Sequence, residues 1–441
     1  MDECQWMQTM KPKILLINPW IYDFAAANFW SRPLGLLRVA ECLSRFDIDL
    51  KLIDCTHIRE SASFGKGKYH KEIVEKPESI KSVPRRFGRY GMPVDEFKKA
   101  LEKNAPFDMV FVTSNMSYWY PGVRKAIEVI RSLYKEVPIV LGGIYATLWN
   151  RHASDTSGAD FIYRGPIGED ISFVFNTFGY KMKKRREQTP YYRLNLCEPH
   201  SFAPILTGSG SPYRCGYCGS HLLFERFERK GVSDITKEIN ELYLMGVRDF
   251  AFYDDALIVN AEEHIKVILR QIIKSGLHAR FHCPNGLHAR FIEWELADMM
   301  NKSGFKMVRL TLETVSSSRQ TWTGGEVTTR DLVNAVATLK KHGFTKKEIG
   351  VYLMCGLPGQ TFEEVREGVE FLKLLGVRIF LAEFSPIPGT SCWNELLKSG
   401  IITDDIDPLL TNNTVFPYLF SGYREDEMKK LKLEVKDYNS H

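Results

Sequence analysis

From residue 202 onward, short apolar runs alternate with helical patterns six times, and each run stops at a polar or glycine-containing motif. Strands are read at 203–207, 248–253, 279–283, 306–312, 348–354 and 378–384. Helical periodicity fills 234–245, 261–275, 291–303, 329–342 and 362–375. Continuous apolar runs imply parallel strands buried on both faces. Six units are too many for a short mononucleotide fold. They fit an open six-stranded barrel, a partial (β/α)6 relative of the eight-stranded TIM-type barrel. In such a barrel, functional residues belong where the strands end.

The N-terminal part follows a similar rhythm. Apolar runs at 13–18, 50–53, 108–113, 138–141 and 161–163 alternate with helical patterns such as 33–45 and 120–134. This α/β alternation predicts a doubly wound parallel sheet over 1–178, with its ligand crevice beyond the carboxyl ends of the strands. Residues 60–94 break the rhythm and are too long for an ordinary connection. They are expected to form a functional lid or a mobile insert. Residues 179–201 read as a linker with a short extended piece at Tyr191–Leu194. The barrel is expected over 202–395, and 396–441 gives no clear pattern.

The net charge of +5 is too mild to imply a nucleic-acid partner. Local basic clusters at Lys66–Lys71 and Lys181–Arg186 read as solvated faces. No apolar run is long enough to span a membrane, and the N-terminus lacks a signal-peptide pattern. A cytoplasmic, reducing setting is expected, in which a CxxC pair means metal or redox chemistry before a structural disulfide.

That pair is Cys215 and Cys218, in the loop after the first barrel strand. Thiolates match iron–sulfur clusters because soft sulfur suits iron. Zinc sites and redox pairs also use CxxC. Zinc needs a second ligand pair, and His282 with Cys283 is the only candidate, with the wrong spacing. The later strands end at Phe252-Tyr253-Asp254-Asp255, Pro284-Asn285-Gly286-Leu287, Thr311-Leu312-Glu313, Cys355-Gly356-Leu357-Pro358-Gly359-Gln360 and Ser385-Pro386-Ile387-Pro388-Gly389-Thr390. Carboxylates on such a rim can take an ammonium or ribose hydroxyls, and glycines let backbone approach a flat base. Each motif alone is equally a turn or a helix cap. Five on one rim are hard to explain as turns.

Taken together, these motifs resemble the cobalamin-binding-domain radical S-adenosylmethionine (SAM) family, over about residues 13–395. The resemblance implies a 4Fe–4S cluster on Cys215 and Cys218, with SAM cleaved reductively to release a deoxyadenosyl radical. It implies Tyr217 near the adenine, Asp254 near the methionine moiety, Asn285 on the rim, Glu313 near the ribose, and Gly356 to Pro358 beside the adenosine. In the N-terminal half, Pro33-Leu34-Gly35-Leu36, Asp54, Thr113-Ser114 and Gly142-Gly143 resemble the cobalamin-binding portion, in which a Ser or Thr and a Gly-Gly turn cradle the nucleotide tail. The Asp-x-His-x-x-Gly ligand motif is absent, since His57 follows Asp54 by three positions and Arg59 stands where the glycine belongs. The sheet therefore either binds cobalamin, binds substrate, or keeps only the fold. The family implies a small-molecule or peptide substrate and a reductant such as flavodoxin or ferredoxin.

One departure matters. The family triplet is C-x-x-x-C-x-x-C, and its first position here is Ser211. A hydroxyl is a hard, poor ligand beside a thiolate. Cys197 precedes the strand, and Cys355 ends strand five. Three readings stay open: an enzyme with an unusual third cluster ligand, a degenerate SAM- or nucleotide-binding or regulatory module, and an altered copy of an active enzyme. A zinc or redox CxxC protein is the outside alternative.

Overall fold

The computed structural model describes residues 11–56, 58, 60–61, 65–168, 171–184, 196–197, 202–324 and 327–441. The extended piece expected at 191–194, His57 and Arg59 lie outside the described residues. The chain divides into two compact units, Met1–His200 and Ser201–His441.

The first unit is built on five parallel strands: β1 (Lys13–Asn18), β2 (Asp49–Asp54), β3 (Met109–Val112), β4 (Ile139–Leu141) and β5 (Phe161–Ile162). Their order is β5-β4-β3-β1-β2. Leu16 lies between Leu52 and Phe111 in register, and Ile14 to Ile17 are buried, so β1 reads as an uninterrupted apolar run. Helices α1 (Leu34–Leu43), α2 (Val94–Asn104) and α3 (Tyr120–Leu133) bury apolar stripes. The strand order reverses between β1 and β3, which puts the switch-point crevice at the ends carrying Asn18 and Thr113. The segment expected as a lid or mobile insert contributes to two small antiparallel sheets. One joins Ile21–Asp23, Gly88–Tyr90 and Lys71–Ile73, and the other joins Asn28–Phe29, Lys66–Lys68 and Glu60–Ser61.

Helix α3 approaches the chain after β1 so closely that a Cβ on Gly122 would lie 2.0 Å from the Trp20 carbonyl oxygen. Backbone cannot yield as a flexible side-chain tip can. Gly122→Ala is expected to destabilise the chain by at least about 2 kcal/mol, read as a lowered unfolding midpoint at unchanged m.

The second unit carries six parallel strands: β6 (Phe202–Ile205), β7 (Asp249–Phe252), β8 (Arg280–Leu287), β9 (Phe305–Thr311), β10 (Ile349–Cys355) and β11 (Arg378–Glu383). They pair in sequence order, and β6 and β11 do not pair with each other, so the barrel is open. Between them run α4 (Val232–Leu244), α5 (Ile265–Ser275), α6 (Trp294–Ser303), α7 (Thr329–Lys341) and α8 (Phe362–Leu374). The buried rings of Phe250, Phe252, Phe281 and Phe305 stack at centroid distances of 5.6 to 6.0 Å. Strand β8 runs four residues beyond the expected 279–283, because its ladder with β9 breaks register between Cys283 and Leu287. Pro284, Asn285 and Gly286 occupy that irregular stretch.

The unpatterned C-terminal stretch folds as well. Helix α9 (Ser391–Lys398) follows β11, and α10 (Glu425–Ser440) lies along the free edge of β11. The Asn439 side chain accepts from the Ile379 N–H at 2.9 Å and donates to its carbonyl at 2.8 Å, in the manner of a strand partner. This covers part of an edge that would otherwise invite pairing with another chain.

Candidate functional site

The Cys215–Cys218 loop begins beyond β6. A two-residue ribbon, Gly208–Ser209 against Glu228–Arg229, closes its base. Gly210 has φ +74°, and a Cβ there would lie 2.6 Å from the Arg226 carbonyl oxygen, so the chain turns where only glycine fits. The Ser211 hydroxyl accepts the Tyr213 N–H at 3.2 Å. Cys215 and Cys218 form a tight turn, with the Cys218 N–H on the Cys215 carbonyl at 3.1 Å. Both thiols are half-buried, whereas the other described cysteines are buried.

Two side-chain bonds tie this turn into the barrel mouth. The Tyr217 hydroxyl donates to Glu313 Oε1 at 2.9 Å, joining the loop to the end of β9. Burial and the Glu313 carboxylate hold that phenol well above its usual range. The Ser220 hydroxyl donates to Asp255 Oδ2 at 2.5 Å, joining the loop to the end of β7.

Asp254 is buried at the end of β7. Its Oδ1 accepts the Thr207 N–H at 2.9 Å and the Thr207 hydroxyl at 2.7 Å. Since that hydroxyl donates to Asp254, it accepts from His264 Nε2 at 2.9 Å, which fixes the His264 tautomer. The second carboxylate oxygen, Oδ2, is buried and has no hydrogen-bond partner. Burial outweighs the Thr207 bonds and raises Asp254 to about 6. An orphaned acceptor of this kind suits an ammonium or hydroxyl donor from a ligand. Asn285 supports this corner, donating to the Tyr253 carbonyl at 2.9 Å and the Asp254 carbonyl at 3.4 Å.

The motif after β10 is fastened from outside. Gly356 has φ +86°, its carbonyl accepts the Ser421 hydroxyl at 3.0 Å, and a Cβ on it would lie 2.7 Å from Pro417. The Pro358 carbonyl accepts from Arg319 at 2.8 Å. The C-terminal segment thus shapes this part of the rim, a role its sequence did not reveal.

His282 and Cys283 do not make a zinc pair with the CxxC turn. They are buried neighbours within β8, and His282 Nε2 is bonded to Asp249 Oδ1 at 2.9 Å. Cys355 is fully buried, and burial holds its thiol far above the usual range. Sequence reading missed Cys392, in the first turn of α9. Its N–H donates to the Gly216 carbonyl at 2.9 Å, and its Sγ lies 4.0 Å from where a Gly216 Cβ would be. Burial pushes this thiol up to about 12. The only sequence signal was its place just after the Pro388-Gly389-Thr390 motif.

In the first unit, Thr113 and Ser114 are buried at the end of β3. The Ser114 hydroxyl donates to the Gly142 carbonyl at 2.7 Å. Gly143, at φ +98°, packs so that a Cβ would lie 2.3 Å from the Ser114 carbonyl oxygen. Gly142 has room, with Tyr163 3.8 Å from the place of a Cβ. The Asn18 side chain donates to Asp54 Oδ1 at 2.7 Å and Thr56 Oγ1 at 2.9 Å, tying the ends of β1 and β2. These residues share the carboxyl side of the sheet. The Ser114 hydroxyl is already engaged in joining two strand ends.

Residues 205–372 match the family model of the Radical SAM superfamily. The chain therefore carries a radical SAM domain. The uncharacterized methyltransferase PH0819 of Pyrococcus horikoshii is 28% identical over 206 residues, which are 46% of this chain and 43% of that protein. The chain thus matches less than half the length of this relative. Among solved structures, the radical SAM methyltransferase TsrM of Kitasatospora setae, with tryptophan and a SAM analog bound, has a TM-score of 0.65 at 17% identity, over 88% of this chain and 76% of that one. TsrM with cobalamin and a [4Fe-4S] cluster bound gives 0.63. The cobalamin-dependent SAM radical enzyme OxsB, with aqua-cobalamin and SAM bound, gives 0.57 at 11% identity, over 95% of this chain and 57% of that one. At these identities the likeness is one of fold. Both the parallel N-terminal sheet and the partial barrel are as the sequence implied.

Proposed function

We propose that this chain is a radical SAM enzyme, with Cys215 and Cys218 as cluster ligands and SAM held along the mouth formed by β7 to β10. The observation that carries this reading is the CxxC turn, tied by Tyr217–Glu313 and Ser220–Asp255 to a rim that holds an orphaned buried acceptor on Asp254. When bound, a 4Fe–4S cluster supplies the electron that breaks a carbon–sulfur bond of SAM. The residues present fit SAM well. For the cluster they supply two thiolates, with Ser211 at the third position.

Asp254 Oδ2 would receive the ammonium of the methionine moiety, and Thr207 with His264 holds that carboxylate in place. Glu313 is kept at the mouth by the Tyr217 hydroxyl, where its carboxylate would meet a ribose hydroxyl. Asn285 fixes the Tyr253–Asp254 backbone rather than reaching outward. Gly356 to Pro358 would lie beside the adenosine. In the N-terminal sheet, Thr113, Ser114, Gly142 and Gly143 would line a cobalamin nucleotide tail. Methyl transfer to an unactivated carbon of a small molecule or peptide then follows as the reaction, with flavodoxin or ferredoxin as electron source. Among the described residues no helix is long and apolar enough to cross a membrane.

A second reading rests on Ser211: a barrel that binds SAM without a cluster, as a regulatory module. Anaerobic reconstitution with iron and sulfide separates the two. The enzyme reading expects more than about two irons per chain, and SAM cleavage under a reductant. Two irons or fewer and no cleavage, with calorimetric SAM binding retained, would establish the module instead.

A further inference from the structure

Arg309 stands in the middle of β9, where every other residue but Lys306 and Thr311 is apolar, and it is 2% exposed. Its Nε and Nη1 are buried and have no hydrogen-bond partner. Its guanidinium carbon lies 4.2 Å from the centroid of the Phe380 ring. The neighbouring strand makes room for it. Gly350 is opposite Arg309 in register, and a Cβ there would lie 2.6 Å from Arg309 Nη1 and 2.6 Å from the Phe380 ring. One strand further on, Arg378 is opposite Gly350. Its Nε is also buried and unpartnered, and its guanidinium carbon lies 5.6 Å from the same ring.

Two guanidinium groups with unmet donors therefore lie against the Phe380 ring. Stacking on the ring stabilises the charge but satisfies no N–H. A buried charge without hydrogen bonds or a partner is costly to keep. The neighbouring Tyr352 hydroxyl offers no relief, because it donates to the Pro284 carbonyl at 2.7 Å. Burial and the Arg378 charge pull Arg309 down to about 10, so it remains a cation at neutral pH.

A cavity of about 460 Å³ between β11 and α10 is lined by Arg378 and Phe380, with Arg309 behind the Phe380 ring. Its walls include Tyr352, Arg378 and Phe380 from the strands, and Lys432, Lys436 and Asn439 from α10. No Asp or Glu lines it. Glu383, on the same strand as Arg378, is held by Lys432 at 2.8 Å and the Tyr418 hydroxyl at 2.6 Å.

We infer that this cavity is an oxyanion subsite, in which Arg378 and Lys436, with Arg309 adding its charge from behind the Phe380 ring, hold a phosphate or carboxylate group. Resting on the enzyme reading above, the ligand is the anionic end of the substrate. Arg309 lies four residues before Glu313, about 13 Å along β9, so that substrate is long enough to reach from the barrel edge to its mouth.

The test uses the full-length chain without reconstitution, so it fails or succeeds apart from iron uptake. Melting temperature is followed against inorganic phosphate and, separately, succinate, each compared with chloride at equal ionic strength. A saturable rise with either probe is expected, and the probe that acts at lower concentration names the anion. Arg378→Gln and Lys436→Gln are each expected to weaken it about tenfold, the loss of one charge-assisted hydrogen bond. Arg309→Met is expected to raise the melting temperature of the free chain while weakening the response. A lower melting temperature for that variant, with an intact response in Arg378→Gln and Lys436→Gln, would make the guanidinium pair structural. No saturable rise with either probe would overturn the subsite. Should Arg309→Met fail to fold, the two glutamine variants decide.

Discussion

Ser211→Cys is expected to raise the iron bound after anaerobic reconstitution toward about four per chain, with a matching gain in brown absorption. The backbone needs no rebuilding. Gly210 already makes the left-handed turn, the ribbon at Gly208–Ser209 already closes the loop, and serine and cysteine differ by one atom. The cost is the half-buried bond from the Tyr213 N–H to Ser211 Oγ at 3.2 Å, worth about 1 kcal/mol at most. Against that stands exchange of a hydroxyl of very high pKa for a thiol that ionises near 8.5. Cys392→Ser provides the companion measurement. If the Cys392 thiol serves as third ligand in the natural chain, its loss lowers iron in the Ser211 protein and not in Ser211→Cys. Iron that stays at about two per chain or fewer in both the natural chain and Ser211→Cys would mean that this loop hosts no 4Fe–4S cluster.

The partial barrel was legible because each of its strands is buried on both faces and therefore appears as an apolar run, with turn chemistry at its end. The rim followed from the same pattern, since Asp254 and Glu313 stand just past strand ends and Asn285 in the irregular last part of β8. Spatial partners were not legible. Nothing in residues 391–393 tells that Cys392 packs on Gly216, and a period of 3.6 in α10 says little about Asn439 closing the edge of β11. Arg309 was hidden for a related reason. Its burial depends on a glycine 41 positions away and a ring 71 positions away, and only strand register brings them together. The strands of the insert were not legible because each is three residues or fewer and they pair with each other and with residues 21–29.

Asp254→Asn is expected to act with opposite sign on the free chain and on SAM binding. The Asp254 carboxyl is raised to about 6 by burial, against an ordinary value near 3.9 in the unfolded chain. Between about pH 4 and 6 the unfolded chain has released this proton and the folded chain keeps it. Its contribution to stability is therefore fully present below pH 4, is lost as pH rises to 6, and changes no further above that. Two units correspond to about 3 kcal/mol. His264 titrates in the opposite sense, since burial lowers it to about 4 and favours the folded chain as pH rises from 4 to 6.5. The quantity to measure is thus the difference in unfolding free energy between natural chain and variant. That difference is expected to favour Asp254→Asn increasingly from pH 4 to 6, then stay constant. SAM affinity runs the other way, because only the ionised Oδ2 can pair with an ammonium. In the reconstituted protein it is expected to rise as pH increases through 6, and Asp254→Asn is expected to bind SAM at least about tenfold more weakly at pH 7.5 but nearly equally at pH 5. A pH-independent SAM affinity in the natural chain would detach Asp254 from the ligand. Equal stability slopes in the two proteins would mean that its carboxyl is not the group that burial has raised.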